Sequence, residues 1–349
     1  MNNEQSIDTV LPECNGPVLI ISTHVGRGVY TLGEVIKEKL SRTTTVYHIP
    51  IEHLTSSATN QEDVARYRWI SNTFPFLLRL IYTIPLFYYR KFFREKYLRT
   101  SDLTELKKTI ESLTIKTVIC VSHRPAFWVS NLKRKYTMPF SLWGILAEYG
   151  YTLGWRYIFW EQVNAFFSPF PRQHCPYPFP AAMRFYTIAL PVQDAAAALA
   201  SQEPSPNAAL IVCGYWGQGP ITRIIRRLTA AAPDLTIHAV CGENAALYRK
   251  ALRLAQKRDN LFVYSAVPSL IPLLKECASV ITKPGLSTIL EVHAAQRKLF
   301  LLKGMPIAED NNARYALQHF DAEWFSVQTF IQWRKGCYES TSATGLSQS

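Results

Sequence analysis

Residues 278–295, ASVITKPGLSTILEVHAA, contain the pattern that decides the fold. The first four residues form an apolar, strand-like run, and residues 289–295 have the character of a helix. A strand that passes through a Pro-Gly turn into a helix start leaves free backbone N–H groups directed at one point, where the helix dipole is positive. We therefore expect a diphosphate site at this turn, with Glu291 on the first helical turns accepting hydrogen bonds from ribose hydroxyls. An ordinary strand–loop–helix connection of an α/β domain is the alternative.

The length and net charge of the chain indicate the number of domains and the kind of partner. A chain of 349 residues is long enough for two domains, each with its own core. The net charge of +12 indicates an anionic partner, which could be nucleic acid, an acidic membrane surface or a phosphate-bearing substrate.

Three features predict where the protein works. The seven cysteines are scattered without a Cys-x-x-Cys pair, which is typical of reduced thiols in a cytosolic compartment. Residues 1–16 are polar and acidic, which argues against a secretory signal, and no uncharged apolar run reaches the ~20 residues of a transmembrane helix. We expect a cytoplasmic protein that associates with membranes peripherally.

The first half of the chain has the pattern of a doubly wound fold. Residues 16–23 form a buried-strand run, followed by a loop with Gly26 and Gly28 and a helical pattern that extends to Leu40. Further strands are predicted at residues 44–49, 115–122 and 140–148. Strands that alternate with helices indicate parallel βαβ units.

The second half repeats this alternation. Residues 193–208 are small, polar and interrupted by two prolines, which predicts a linker, although the alanine run could end a helix. Five strands alternating with helices then predict a Rossmann-like domain. We expect domains at residues 1–195, for the acceptor and membrane side, and 206–335, for the donor, with a tail at 336–349. The predicted class is α/β with two Rossmann-like domains, whose parallel sheets face a ligand cleft.

The turn at Lys283 resembles a known signature. Lys-Pro-Gly-Gly, a Leu-Thr pair and a Glu eight residues after the Lys form the donor-nucleotide signature of the monogalactosyl- and glucosyl-diacylglycerol synthases. These are GT-B glycosyltransferases, related to the UDP-GlcNAc transferase of peptidoglycan synthesis. Five residues match in register, while Leu286 replaces the second Gly and Ser287 the Leu; the matching residues are Lys283, Pro284, Gly285, Thr288 and Glu291.

Four further segments resemble the same family in the same order. They are a glycine-rich loop at residues 213–220, a Cys-Gly-x-Asn-like strand end at 241–244, the strand at 261–267 and the Pro-x-x-Gln-Glu-x-Asn-Ala-like run at 306–313. Tyr215 and Trp216 are bulky additions to the glycine loop. The resemblance assigns these residues to the donor: Gly214, Gly217, Gly219, Gly242, Asn244, Val263, Val267, Lys283, Pro284, Gly285, Ser287, Thr288, Glu291, Glu309, Asp310 and Asn312.

The first half resembles the family more loosely. His123 lies in a Ser-Thr-His-Pro-like strand end and, with Gly26 and Gly28, is expected on the acceptor side. Relatives have a His linked to catalysis where this chain has Val29. Inverting sugar transfer needs a base that takes the proton of the acceptor hydroxyl. Glu148 is our first candidate and His24 our second; the alternatives are a capping or salt-bridged carboxylate and a structural strand-end histidine.

Residues 69–99 combine an apolar aromatic run with a basic cluster. This combination is typical of segments that bind a membrane interface. A buried helix with a solvated basic end is the alternative. We disfavour nucleic acid because no nucleic-acid motif surrounds the basic residues. The membrane contacts that we predict are Trp69, Phe74, Phe76, Phe87, Arg90, Lys91 and Arg94.

The sequence therefore predicts an inverting glycosyltransferase that moves a hexose from a UDP-sugar to an acceptor hydroxyl, most simply that of a membrane lipid such as diacylglycerol. No cofactor is expected besides the UDP-sugar as co-substrate, and no metal, since the chain contains no Asp-x-Asp. Two other classes stay open. One is a nucleotide-sugar-binding protein that no longer catalyses, which Val29 and Leu286 favour, and the other is a nucleotide-sugar 2-epimerase.

Overall fold

The computed structural model of the chain describes residues 16–24, 27–55, 102–304 and 308–345, together with Ile7, Cys14 and Trp69. The chain divides into two compact units, residues 1–191 with 305–311 and residues 192–304 with 312–349. Each unit contains a six-stranded sheet. All the strand pairs in both sheets are parallel, and helices connect most of the strands. The predicted α/β class with two Rossmann-like domains is confirmed.

The first unit forms from strongly apolar strands in the spatial order β2-β1-β3-β4-β5-β6. Its central strands are buried along their whole length, as continuous apolar runs in parallel sheets require. The strands are β1 (Val18–Ser22), β2 (Val46–Pro50), β3 (Thr117–Cys120), β4 (Ser141–Ile145), β5 (Ala165–Ser168) and β6 (Arg184–Thr187). The helices are α1 (Arg27–Leu40), α2 (Thr104–Ser112) and α3 (His123–Tyr136).

Two expectations for the first unit need correction. Gly28 lies in the first turn of α1 rather than in a loop, because the helix begins at Arg27. The strands β5 and β6 were not predicted. β6 is short and only half-buried, and it begins with the exposed Arg184, so its sequence lacks a buried-strand pattern.

The second unit has the spatial strand order β12-β11-β10-β7-β8-β9. Its strands are β7 (Ser205–Val212), β8 (Thr236–Val240), β9 (Leu261–Tyr264), β10 (Cys277–Thr282), β11 (Lys298–Leu301) and β12 (Ala322–Trp324). Its helices are α4 (Asp194–Ala197), α5 (Ile221–Ala231), α6 (Ala245–Ala255), α7 (Ile271–Glu276), α8 (Leu286–Ala294), α9 (Ala308–His319) and α10 (Val327–Gly345). Of these, α9 begins in residues 308–311 of the first unit and continues into the second at Asn312.

Two expectations for the second unit are also wrong. The predicted linker at residues 193–208 contains the first residues of β7, and its alanine run forms the helix α4, as the alternative allowed. The sheet has six strands rather than five, because the three residues of β12 pair in parallel with β11. Two of those three residues are half-buried and Trp324 is exposed, so no apolar alternation marks the strand.

The strand order of the second unit reverses between β7 and β10. From β7 the chain continues to β8 and β9, and it then returns to the other side of β7 to form β10. Thr282 at the end of β10 pairs with Val212 of β7, and Val212 pairs with Val240 of β8. Ligands of open parallel sheets bind at such a reversal, beyond the carboxyl ends of the strands. The loops after β10, β7 and β8 therefore form the expected ligand-binding edge of this sheet.

Candidate functional site

The loop between β7 and α5 brings its backbone close to the next loop of the second unit. Gly214 and Gly217 have φ of +73° and +61°, a conformation that L side chains rarely adopt. A Cβ atom on Gly217 would lie 2.0 Å from the carbonyl oxygen of Cys241. Only glycine fits there, and the glycine-rich pattern therefore reflects close packing between two backbone segments.

Hydrogen bonds join this loop to the segment after β8. The Glu243 amide donates to the Tyr215 carbonyl at 2.7 Å, and the Asn244 side-chain amide donates to the Gly217 carbonyl at 3.2 Å. The other side-chain atom of Asn244, Oδ1, accepts from the Leu247 amide at 3.0 Å and caps α6. Gly242 belongs to the same arrangement, since a Cβ atom there would lie 2.2 Å from the Tyr215 carbonyl oxygen. Asn244 thus holds the two loops together, and a direct contact with a donor stays a prediction.

The turn after β10 has the geometry that we expected of an anion site. The helix α8 begins at Leu286, with Gly285 in an extended conformation as its N-cap, and no side chain caps it among the described residues. The amides of Leu286, Ser287 and Thr288 are the first N–H groups of the helix, which have no acceptor within it. Such groups, together with the positive end of the helix dipole, attract phosphate oxygens.

Lys283 extends across the glycine loop. Its Cε lies 2.7 Å from the position that a Cβ atom on Gly214 would occupy, and its Nζ lies 3.5 Å from Oε1 of Gln218. The ammonium group is thereby held over the strand-order reversal between β10 and β7. Gln218 was not among the residues predicted from the sequence.

Glu291 is a buried carboxylate on the second turn of α8. Its side chain is 9% exposed, and burial raises its pKa from 4.5 to about 7. No hydrogen bond or ion pair to this carboxylate occurs within the part of the chain that the structure describes. A buried carboxylate without a partner is costly for the fold, and a ligand with hydroxyl donors would satisfy it.

The remaining predicted donor residues are distributed over several elements. Asn312 is buried and its side-chain amide donates to the Pro284 carbonyl at 3.2 Å, which ties α9 to the turn. Glu309 and Asp310 lie in the first turn of α9. Gly219 packs on Cys213, since a Cβ atom there would lie 2.5 Å from Sγ. Val263 lies within β9, and Val267 lies three residues beyond the end of that strand.

In the first unit, three predicted residues follow the carboxyl ends of adjacent strands. His24 follows β1, His123 follows β3 and Glu148 follows β4. Strand register aligns these ends, because Ile21 pairs with Cys120 and Cys120 pairs with Gly144. The topology therefore brings the three side chains to one edge of the sheet, where ligands of such sheets bind.

The surroundings of His24 were not foreseen. Glu52, from the segment after β2, accepts hydrogen bonds from the Thr23 hydroxyl at 2.5 Å and from the His24 amide at 3.1 Å. The exposed His24 ring stacks on Tyr30 at 5.4 Å and lies 5.5 Å from the ring of His53. Pairing of β1 with β2 creates this cluster, which joins residues far apart in the sequence.

A second, partly buried network lies next to that cluster. His48 Nε2 lies 2.7 Å from the Ser22 hydroxyl, and His48 Nδ1 bonds Glu34 of α1. Burial lowers the pKa of His48 although Glu34 raises it. The network fastens α1 to β1 and β2. We assign this network a structural role, because Ser22 is fully buried.

His123 begins α3 and is held in a neutral state. Burial, together with the smaller effect of the nearby Arg124, lowers its pKa to about 4. Its Nδ1 lies 3.4 Å from the Thr152 hydroxyl, and a Cβ atom on Gly154 would lie 1.9 Å from its ring. At neutral pH the imidazole can therefore accept or donate a hydrogen bond without carrying charge.

Several predicted residues lie outside the described part of the chain, so the structure says nothing of them. They are Gly26, Phe74, Phe76, Phe87, Arg90, Lys91 and Arg94. Trp69 is described, and its side chain is 59% exposed. Across the described ranges, no helix is both long and apolar enough to cross a membrane. The same residues contain no group of three or more His, Cys, Asp or Glu side chains that could hold a metal ion.

Comparison with known proteins relates these features to characterised relatives. The chain is 36% identical over 107 residues to the processive diacylglycerol beta-glucosyltransferase of Bacillus cereus (strain AH187), which is 30% of this chain and 28% of that protein. No family model matches the chain. The match thus spans well under two thirds of the relative.

Solved structures show the fold over almost the whole chain. The MurG structure from Acinetobacter baumannii has a TM-score of 0.56 at 12% identity and covers 93% of this chain and 91% of its own. The UDP-GlcNAc 2-epimerase from Neisseria meningitidis, solved bound to UDP-GlcNAc, has a TM-score of 0.51 at 12% identity and covers 93% of this chain and 92% of its own. The fold is that of the GT-B glycosyltransferases, and epimerases share it. The chemistry must therefore be argued from the site.

Two alanine substitutions should distinguish glycines that the fold of the loop requires from glycines that affect ligand binding. Gly217→Ala meets a backbone carbonyl that cannot move aside, so we expect a loss of about 2–4 kcal/mol in unfolding free energy. Gly214→Ala meets the flexible end of Lys283, so we expect a loss of only about 1–2 kcal/mol but at least tenfold weaker UDP binding. Denaturant unfolding and calorimetry measure the two effects. Equal UDP affinity in wild type and Gly214→Ala would remove Lys283 from the site.

Proposed function

We propose that the protein is a glycosyltransferase that moves a hexose from a UDP-sugar to a hydroxyl group of a membrane lipid, with inversion at the anomeric carbon. The observation that carries the proposal is Glu291, a buried carboxylate with no partner among the residues that the structure describes, one helical turn beyond the first amides of α8. A nucleoside diphosphate would provide partners for the carboxylate and for these amides. Its ribose provides hydroxyl donors for the carboxylate, and its phosphates provide anionic acceptors for the amides. The similarity to a diacylglycerol glucosyltransferase supports this assignment.

The diphosphate is bound without a metal in this proposal. Its charge meets the first amides of α8 and the ammonium group of Lys283, whose stem crosses Gly214. As the bond between the sugar and the diphosphate breaks, negative charge grows on the departing phosphate oxygen. Fixed N–H dipoles and a nearby ammonium stabilise that charge at the moment it develops.

The acceptor proton goes to a base of the first unit. Glu148 is the base in this proposal, because a carboxylate beyond the end of β4 lies at the ligand-binding edge of its sheet. His24 is the second candidate, and Glu52 fixes its backbone. His123 stays neutral and can contribute a hydrogen bond at most.

Release of UDP tests the proposal directly. The full chain is mixed with single UDP-sugars and with vesicles that contain diacylglycerol, and UDP and glycolipid are measured together. Glycolipid formed in step with UDP is the expected result, and the anomeric configuration of the product tests inversion. UDP binding without release would indicate a binding protein that has lost catalysis.

The epimerase is the second candidate, because the fold is shared with the Neisseria enzyme and does not by itself separate the two activities. An epimerase would convert UDP-GlcNAc without any acceptor, and the change at the sugar's second carbon is visible by NMR. Epimer formation in the absence of lipid would therefore replace the glycosyltransferase proposal.

Membrane attachment through residues 69–99 is a further part of the proposal. Exchange of Arg90, Lys91 and Arg94 to Glu should remove most binding to anionic vesicles and keep UDP binding, since each cation near such a surface is worth ~1 kcal/mol. The binding should weaken as salt rises, because screening at 0.15 M limits surface attraction to ~8 Å. The matched control exchanges Lys116, Lys135 and Lys275, all exposed, to Glu. If wild-type protein does not bind anionic vesicles at low salt, the proposed membrane attachment through residues 69–99 is wrong. The proposed donor site would be unaffected by that result.

A further inference from the structure

Two neighbouring helices of the second unit carry cations and no acidic side chain. The helices α5 and α6 have 11 residues each, and each contains three basic residues and no Asp or Glu. All six basic side chains are exposed. We call them the basic surface; they are Arg223, Arg226 and Arg227 of α5 and Arg249, Lys250 and Arg253 of α6.

The six cations form one face. On α5 they occupy positions i, i+3 and i+4, which lie together on a helix, opposite the buried Ile225 and Leu228. On α6 they occupy positions i, i+1 and i+4, and the buried Ala251 lies on the other side. The helices connect β7 to β8 and β8 to β9, which are consecutive neighbours in the sheet. Right-handed crossovers place two such helices on the same side of the sheet.

No ion pair or hydrogen bond of a side chain neutralises the basic surface within the described ranges. By contrast, Arg334 of α10 pairs with Asp234 and Lys298 pairs with Asp321 at 2.6 Å. The protein thus pairs some of its cations and leaves these six facing solvent. Like charges crowded on one face repel one another, so the arrangement is stabilising only when an anionic partner covers it.

We propose that the basic surface is a docking site for an anionic lipid bilayer. Two helices on one sheet face present a broad array of cations, and clusters of four to eight Lys or Arg on a helical surface are typical of binding to acidic headgroups. Between the cations the face exposes small side chains such as Ala230 and Ala246. It lacks the exposed aromatic rings on which nucleic-acid bases stack. The choice of a bilayer as the partner rests on the proposed lipid acceptor.

This surface differs from residues 69–99, which belong to the first unit. Lipid contact through the second unit would attach the unit that carries the proposed donor-binding loops to the bilayer. The array is electrostatic, so binding through it is reversible and sensitive to salt.

Exchange of Arg226 and Arg253 to Glu, in the full chain, tests the proposal. The probes are vesicles of phosphatidylcholine with phosphatidylglycerol and vesicles of phosphatidylcholine alone, assayed by co-sedimentation at low ionic strength and at about 0.15 M salt. We expect wild type to bind only the anionic vesicles, and the exchange to weaken that binding at least thirtyfold. The control exchange of Lys116 and Lys275 to Glu makes the same change in net charge elsewhere and should weaken it less than threefold.

Three readouts decide the outcome. Equal weakening by both exchanges would overturn the proposal, because net charge alone would then explain the binding. Tighter binding of wild type to a DNA duplex than to anionic vesicles at the same salt, lost on the Arg226 and Arg253 exchange, would assign the surface to nucleic acid instead. UDP affinity by calorimetry verifies that each variant is folded. If wild type binds no UDP, the proposed function fails whatever the vesicles show.

Discussion

Glu148→Gln is expected to lower kcat by roughly 10²–10⁴ and to leave UDP affinity unchanged. The amide keeps the size and most contacts of the carboxylate but cannot take the acceptor proton. Glu148 lies beyond β4 in the first unit, and the proposed donor loops belong to the second, so the two measurements report on different parts of the chain. Initial rates with a dispersed lipid acceptor give kcat, and calorimetry gives the UDP affinity.

The matched control for this prediction is His24→Gln. If Glu148 is the base, the His24 variant should retain most of the rate. A variant Glu148→Gln with nearly wild-type kcat, together with a large loss in His24→Gln, would transfer the role to the histidine. Loss of UDP binding in Glu148→Gln would point to a structural carboxylate.

Glu291→Gln should weaken UDP binding and stabilise the empty protein at high pH. A hydrogen bond from a ribose hydroxyl to a charged carboxylate is worth about 1.5–3 kcal/mol, so we expect about a tenfold to hundredfold loss of affinity. The variant should thus bind UDP more weakly while its ligand-free form is more stable. A substitution that only damaged the fold would lower both. Unchanged UDP affinity in a folded variant would show that Glu291 does not bind the ribose, and the proposed donor site would be wrong.

The pH dependence of that stabilisation follows from the raised pKa of Glu291. Burial raises it from 4.5 to about 7, so the folded state binds the proton more tightly than the unfolded chain. The contribution of Glu291 to the unfolding free energy is therefore fully present below pH 4.5 and falls by ~3 kcal/mol as pH rises from there through about 7. The unfolding free energy of Glu291→Gln has no such pH dependence, because glutamine does not titrate. The variant should therefore be about as stable as wild type at low pH and more stable by ~3 kcal/mol at pH 8. Thermal unfolding at several pH values measures the difference, and a constant difference would contradict the assignment.

Much of the second unit could be predicted from its sequence because its signals are local. The Pro-Gly turn at Lys283, the buried strand before it and the helix after it are contiguous, and the structure places them as expected. The register of Glu291 on α8 follows from the same continuity. The helix merely begins three residues earlier than predicted, because Gly285 serves as N-cap.

The remaining features depend on tertiary contacts that no local pattern records. β12 forms because β11 offers it an edge, and its own three residues have no strand pattern. Glu52 meets His24 only because β1 and β2 pair, and Gln218 meets Lys283 only because β7 and β10 are adjacent. The resemblance assigns Gly217 and Gly242 to the donor, and the structure adds that both leave room for the backbone of the facing loop, a contact that no local pattern predicts.

The bonds between the glycine loop and the segment after β8 have a thermodynamic consequence for recognition. Tyr215 and Gly217 are each tied by a hydrogen bond to the facing strand end without any ligand. The conformational entropy of this loop is thus lost when the chain folds, and little remains to be lost on association. Differences in affinity among nucleotide sugars would then reflect the contacts that each sugar makes, rather than the work of ordering the loop around it.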